Sequence, residues 1–298
     1  MDPSFLWRPD IFIRACWRKM RKHPERCLAR TAWGDWLEVE PRRFIGRNVY
    51  MRGVHELAVC EALWRLAGRG ERVVDVGANI GVMTSVLSKR VGCAGRVTAF
   101  EAHPAVFGVL ERNVRRWEGR RIELVERAAS AERGRVRIWE GEWFGGNEGT
   151  ARVGGREEEE EKEHEEEAKA RSFEVAAVRV DETIEGCEVM KVDVEGHEFE
   201  VVSGAERLLA KGLVRDIVFE SRWEFANKTH ELLVRHGYEL FELGSGLWGP
   251  VLGVAGRRSG EMGRTADYVA TLDPNRLRMV MQKRGWRALG LQIAKYRM

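Results

Sequence analysis

Along much of the chain, short apolar runs alternate with segments whose apolar positions recur every three or four residues. "RVVDVG" (72–77) reads as a buried strand and is followed by a helix over 80–91. "RVTAFE" (96–101) is a second strand, and Pro104 opens a helix that runs to about Trp117. "IELVER" (122–127) is a third strand and "RVRIWE" (135–140) a short extra one. Upstream, 54–68 places Leu57, Cys60, Leu63 and Leu66 at helical spacing and stops at Gly68. Regular structure resumes over 172–184, with a strand at 188–194, an amphipathic helix over 198–212 and a strand at 214–221. A helix at 225–237, a strand at 238–244, a glycine-rich loop at 244–263 and a last strand at 267–272 complete the pattern. Strands alternating with helices of this length predict an α/β fold, a mainly parallel sheet covered on both faces. Ligands of such sheets sit beyond the carboxyl ends of the strands, where the strand order reverses. No internal repeat is visible.

Two stretches break the pattern. Residues 1–50 are rich in Trp and Arg without a clear period, so they read as an N-terminal extension or cap ahead of a domain spanning 51–298. From 145 to 171 the chain is Gly-rich and then almost pure Glu, which reads as a disordered or partly helical insertion, since like charges repel and bury no core. Charge follows the same division. Residues 157–167 carry nine Glu and one Lys, a local −8, so a total of +3 leaves +11 on everything else. A basic body favours anionic substrates, membrane surfaces or nucleic acid without choosing among them. Five scattered cysteines, none in C-x-x-C spacing, argue against a disulfide framework and a structural zinc site, and favour a reducing, cytoplasmic setting. No apolar run approaches the roughly 18 residues of a membrane-spanning helix, and the ordered regions of a secretory signal are missing. The basic stretch 14–30, with Cys, Trp, Met and Leu interspersed, reads as a helix packed on the catalytic domain, with peripheral membrane contact or organellar targeting as alternatives.

The first dense motif is "VVDVGANIGVMTSVL" (73–87). It has neither the G-x-G-x-x-G of a dinucleotide fold nor the Lys-bearing loop of a nucleotide triphosphatase. Gly77, Asn79 and Gly81 still allow close backbone approach, and the N–H groups of the following helix favour a negative group there. With no charged side chain in the loop, one carboxylate suits the turn better than a diphosphate. S-adenosylmethionine carries such a carboxylate on its methionine arm and a ribose diol beyond it. Glu101, 20 positions after Gly81, closes the second strand where a double acceptor for that diol belongs. The spacing alone fits NAD equally; the pair "DVGANIG" and "AFE" tips the balance. The second motif is "VMKVDVEGHEFEVVSGA" (189–205), where Lys191, Asp193 and Glu195 share a strand face by period two and meet Gly196 and His197 at its carboxyl end. Gathering several ionisable groups is costly unless they are paired or functional; the bland alternative is an ion pair through Lys191 that fixes the turn.

Together these motifs, with "VTAFEAHP", "DIVFES" and "HGYELFEL" in order, resemble the FkbM-type S-adenosylmethionine-dependent methyltransferases over about 54–272. The resemblance implies a class I methyltransferase fold, Rossmann-like, with a largely parallel seven-stranded sheet whose last strand is reversed. It places Asp75, Gly77, Ala78, Asn79 and Gly81 at the methionine end of the cofactor and Glu101 with Ala102 at the ribose. Asp193, Glu195 and His197 fall on the family's D-x-E-G-H element. One departure follows the third strand, where many class I enzymes hold the adenine amine with an acid; here "ERAAS" (126–130) offers Ala128 and Ala129 as contacts for the ring. The expected activity is O-methylation of a hydroxyl on a small-molecule, glycan or lipid acceptor, with His197 or Asp193 taking the proton and Glu220 touching the substrate. A metal held by Asp193, Glu195 and His197 is conceivable but not expected, because no H-E-x-x-H helix is present. Rival readings are a nicotinamide oxidoreductase on a similar fold and a binding protein that has lost its chemistry; no nucleic-acid module is recognisable.

Overall fold

The computed structural model describes residues 6–19, 22–139, 152–153, 172–254 and 265–290. Apart from Arg152 and Val153, the acidic insertion expected at 145–171 lies outside the described residues. In chain order the strands are β1 (Cys27–Arg30), β2 (Trp36–Val39), β3 (Arg72–Val76), β4 (Arg96–Phe100), β5 (Ile122–Val125), β6 (Ala128–Ala129) and β7 (Gly134–Trp139). They continue as β8 (Arg152–Val153), β9 (Ser172–Val178), β10 (Cys187–Val192), β11 (Val214–Arg222), β12 (Glu239–Gly246), β13 (Gly249–Val254) and β14 (Thr265–Thr271).

Eight of these form the main sheet, in the order β13-β12-β14-β11-β10-β3-β4-β5. β5, β4, β3, β10 and β11 run parallel, and β14 is antiparallel to both β11 and β12. The expected sheet with its last strand reversed is therefore present, with β13 added as an eighth strand at the edge. That strand corrects the expected loop over 244–254; the remainder of that loop, 255–263, lies outside the described residues. Four glycines give 244–253 the look of a loop, but the chain turns at Leu247–Trp248 and returns with Leu243 opposite Leu252 and Phe241 opposite Val254. Gly249, at φ +137°, supplies backbone freedom beside that turn. The inner strands are near-continuous apolar runs because both faces are covered; Val73, Val74, Val97, Val189, Met190 and Ile217 are all buried.

Strand order reverses between β3 and β10, since the chain leaves β3 toward β4 and β5 and returns to the other side of β3. The carboxyl ends of β4, β3, β10 and β11 thus open side by side, at the place where a ligand belongs in this architecture. A second sheet, in the order β6-β9-β7-β8, follows β5 and brings Ala128, Ala129 and Ile138 to the cavity at that end. The helix expected over 198–212 is two helices, Glu198–Ser203 and Glu206–Ala210. The break falls at Gly204, whose backbone lies so near the Ser130 carbonyl that a Cβ would sit 2.0 Å from it.

The N-terminal residues carry more regular structure than their lack of period foretold: a helix at Pro9–Lys19, the β1–β2 hairpin and a helix at Phe44–Arg52. Ala29, Trp33, Leu37, Val39 and Val49 share one buried cluster with Leu63, Val73, Val86 and Val97. The Trp33 indole donates to Ser85 Oγ at 2.6 Å, and Ser85 donates to Asp35 at 2.9 Å. Among the described residues no helix is long and apolar enough to cross a membrane.

Candidate active site

A cavity of about 250 Å³ opens at the carboxyl ends of the central strands. On the β3–β4 side it is lined by Gly77, Ala78, Asn79, Glu101, Ala102 and His103. Asn79, at φ +49°, and Gly77, at φ +75°, carry the chain through a tight turn between β3 and the helix Val82–Val91. A Cβ on Gly77 would stand 1.8 Å from the Asp193 carbonyl oxygen, so this turn and the loop after β10 touch backbone to backbone. Glu101 is held by both oxygens: Asn79 N–H donates to Oε2 and His103 N–H to Oε1, each at 2.8 Å. A carboxylate has about four acceptor sites, so two remain for a vicinal diol in a fixed orientation. Burial pushes the Glu101 carboxyl up, against the two backbone N–H groups that favour its charged form.

The turn itself differs from the expected anion nest. Gly77 and Ala78 N–H donate to the Phe100 carbonyl, Asn79 N–H to Glu101, Ile80 N–H to Asn79 Oδ1 and Gly81 N–H to the Ala78 carbonyl. These amides are spent within the protein. Two other placements are corrected with it. Asp75 is fully buried behind the turn and does not line the cavity; it accepts from Thr84 Oγ1 at 2.6 Å and pins the helix to β3. Gly81 also stands back, where a Cβ would meet Leu110 Cδ1 at 2.8 Å; its lack of a side chain serves packing.

On the β10–β11 side the cavity meets Lys191, Asp193, Glu195, His197 and Glu220. β10 ends at Val192, so Asp193 and Glu195 sit in a loop rather than on a strand face. Glu195 (φ +56°) and Gly196 (φ +101°) turn that loop, and Glu198 accepts from Val194 and Gly196 N–H at 3.0 and 3.1 Å to hold it. One oxygen each of Asp193, Glu195 and Glu220 lie within 4.8 Å of one another. Lys191 Nζ stands 3.3 Å from Asp193, 3.6 Å from Asp75 and 2.8 Å from the Gly77 carbonyl. Burial opposes its charge, but Asp193 and then Asp75 outweigh it and hold the ammonium above its ordinary value. Burial, then Asp193 and Glu195, push the Glu220 carboxyl up to about 9. His197 lies apart from the three acids, with Nε2 3.0 Å from Ser130 Oγ and Nδ1 3.4 Å from Glu200; burial lowers its pKa. The carboxylate oxygens that meet are those of Glu220 with Asp193 and Glu195, so the conceivable metal set with His197 does not assemble.

Several cavity residues lie where no motif marked them. Phe44, Ile45, His55 and Glu56 come from the N-terminal region and line the same cavity. Glu56 caps the helix Leu57–Leu66 in a left-handed conformation, φ 48°, which is uncommon outside Gly and Asn. His55 Nε2 stands 3.3 Å from Glu56 Oε1, while Asn48 Nδ2 stands 3.1 Å from His55 Nδ1 and Asn48 Oδ1 accepts from Arg52. Against burial, the hydrogen bond from His55 and the charges of His55 and Lys191 keep Glu56 below its ordinary value. Asp267 faces Glu220 across β11 and β14 and is pushed up to about 8 by burial, with Glu56 and Asp193 adding to it. Ala128, Ala129 and Ile138 add apolar lining to the cavity, with Ala102 packed against Ala128 and Ile138. The close backbone of the glycine turn, the doubly held Glu101 and this apolar lining fit S-adenosylmethionine.

A parallel sheet with its last strand reversed, opening at its switch point onto a glycine turn and a strand-ending acid, defines a Rossmann-like protein of the class I methyltransferase type. The Methyltransferase FkbM domain matches residues 75–240, more than half of the chain, and the chain belongs to that family. It is an S-adenosylmethionine-dependent methyltransferase by family and fold, which sets aside the nicotinamide reading. Among solved structures it is similar to the precorrin-6y C5,15-methyltransferase of Geobacter metallireducens, at 15% identity and TM-score 0.41, covering 72% of this chain and 85% of that one. It is also similar to a TehB-like SAM-dependent methyltransferase of Corynebacterium glutamicum (12% identity, TM-score 0.41, covering 76% and 92%). A SAM-dependent O-methyltransferase of Thermotoga maritima aligns at 13% identity and TM-score 0.40, covering 85% and 95%. No curated protein matches the chain.

Proposed function

We propose that this methyltransferase acts on oxygen, methylating a hydroxyl of a small-molecule, glycan or lipid acceptor. The observation that carries the reading is the meeting of Asp193, Glu195 and Glu220 within 4.8 Å at the ends of β10 and β11. Glu101 stands at the end of β4, two strands from β10, roughly 10 Å at the usual strand spacing. The cavity therefore has a sugar-binding acid at one end and proton-accepting groups at the other.

S-adenosylmethionine, when bound, supplies a methyl group already activated as a sulfonium. What is left to the chain is alignment and removal of one proton. Glu101, fixed by Asn79 and His103, holds the ribose diol, and Ala128 and Ala129 pack on the ring. Asp193, 3.3 Å from the Lys191 ammonium, takes the hydroxyl proton on Oδ as the new C–O bond forms. Glu220, neutral at physiological pH, donates a hydrogen bond to the acceptor oxygen, and Glu195 accepts from a neighbouring hydroxyl. His197, with a partner at each ring nitrogen, holds the 193–197 loop against Ser130. Proton removal by a positioned base contributes about 10²–10⁴-fold. All five cysteines are free thiols, which supports a reducing, cytoplasmic setting.

The test is transfer of labelled methyl into a metabolite extract, followed by mass identification of the product. An ether linkage supports the reading, and label on nitrogen or sulfur overturns it. Asp193→Asn is expected to slow turnover within that range while cofactor affinity holds; full turnover removes Asp193 from the role of base.

A further inference from the structure

An ordinary surface helix is apolar inward and polar outward. The helix Pro9–Lys19 is apolar on both sides. Ile11 and Ala15 are buried, and Arg18 donates to the Tyr50 carbonyl with its guanidinium 4.2 Å above the Tyr50 ring, so the inner face is fixed. The outer face carries Phe12, Ile13, Cys16 and Trp17, one side of a helix by their spacing. Phe12, Ile13 and Trp17 are 50%, 68% and 51% exposed.

Two further elements join this edge. The Trp7 ring stands edge-on to Trp248 at 5.8 Å, and its indole N–H donates to the Leu247 carbonyl at 2.9 Å. The helix start is thereby tied to the tip of the β12–β13 hairpin, where Leu247 and Trp248 are 48% and 61% exposed. Arg8 donates to the Leu289 carbonyl at 2.6 Å, and a Cβ on Gly285 would touch Trp7 at 3.9 Å. Residues 282–290 therefore lie against the same end; they bring exposed Lys283, Arg284 and Arg287 and contain no acid. In the helix itself the sole acid is Asp10, which Arg8 neutralises at 2.7 Å.

Aromatic and aliphatic side chains beside a set of cations match the chemistry of an anionic lipid bilayer. We propose that this edge docks on such a bilayer, with the helix Pro9–Lys19 lying in the plane of the interface. Phe12, Ile13 and Trp17 enter the boundary between headgroups and acyl chains, Trp248 sits at headgroup level, and Lys283, Arg284 and Arg287 face lipid phosphates. The contact is reversible, because it holds a single short helix and a hairpin tip, and it weakens with salt.

The test uses the full chain and vesicles of phosphatidylcholine alone or in equal mixture with phosphatidylserine, read by co-sedimentation and by the blue shift of Trp fluorescence. Binding to the mixed vesicles is expected, with loss at high salt and little binding to neutral vesicles. Ile13→Ser with Trp17→Ser, and separately Lys283→Glu with Arg284→Glu, are each expected to lower mixed-vesicle binding at least tenfold. Both variants should retain the parent circular dichroism, Tm and S-adenosylmethionine affinity, which keeps a folding defect apart from a docking defect. No binding to mixed vesicles, equal binding to neutral ones, or undiminished binding by either folded variant overturns the proposal. So does a preference for single-stranded RNA over vesicles that survives Ile13→Ser with Trp17→Ser.

Discussion

Replacing Lys191 by Met isolates the electrostatic joint between the two halves of the site. Its ammonium is 5% exposed, 3.6 Å from Asp75 and 3.3 Å from Asp193. At an effective dielectric of about 20, each attraction is worth about 5 kcal/mol before desolvation is charged against it. Removing one partner of a buried pair while leaving the other costs about 3–5 kcal/mol. Asp75 fits that case, being fully buried with Oδ1 lacking any hydrogen-bond partner. We expect Lys191→Met to lose about 3–5 kcal/mol in urea denaturation at about pH 8. Adding Asp75→Asn removes the stranded charge and recovers about 2 kcal/mol, a coupling of the size neighbouring groups show. A single variant within about 1 kcal/mol of the parent, or a double variant no better than the single, refutes the reasoning.

The same geometry makes two further predictions. Gly77→Ala forces a side chain into a left-handed position 1.8 Å from the Asp193 carbonyl, so calorimetry should show loss of S-adenosylmethionine binding together with a lower Tm. Glu220 titrates near 4.5 when unfolded and at about 9 when folded; its stabilising protonated form is complete below the first value and lost as pH rises through the second. Stability of the parent should thus decline between those limits, and Glu220→Gln should flatten that decline; an unchanged slope would show that Glu220 is ionised throughout.

The strands and helices that frame the site were legible because burial on both faces leaves short, mainly apolar runs at 72–76, 96–100 and 187–192, broken by few charges. Glu101 was legible because it closes "AFE" 20 positions after Gly81, in step with the "DVGANIG" turn. Three things were not. The β12–β13 hairpin was hidden by glycines that serve its turn and its close strand approach. The N-terminal hairpin was hidden because four-residue strands give too few positions to show a period. His55 and Glu56 were hidden because a residue brought to the cavity by a left-handed turn before a helix follows no spacing rule. The fate of the turn's amides also needed coordinates: a glycine motif shows that backbone comes close, not which acceptor it meets.

Calorimetric titration of the full chain with S-adenosylmethionine, set beside Glu101→Ala and beside NAD, bears most directly on the site as described. One equivalent of S-adenosylmethionine should bind, NAD should give no heat, and loss of the doubly held carboxylate should weaken the affinity at least tenfold, about 1.4 kcal/mol. Equal affinity in parent and Glu101→Ala, or heat from NAD alone, would contradict the placement of the cofactor between Gly77 and Glu101.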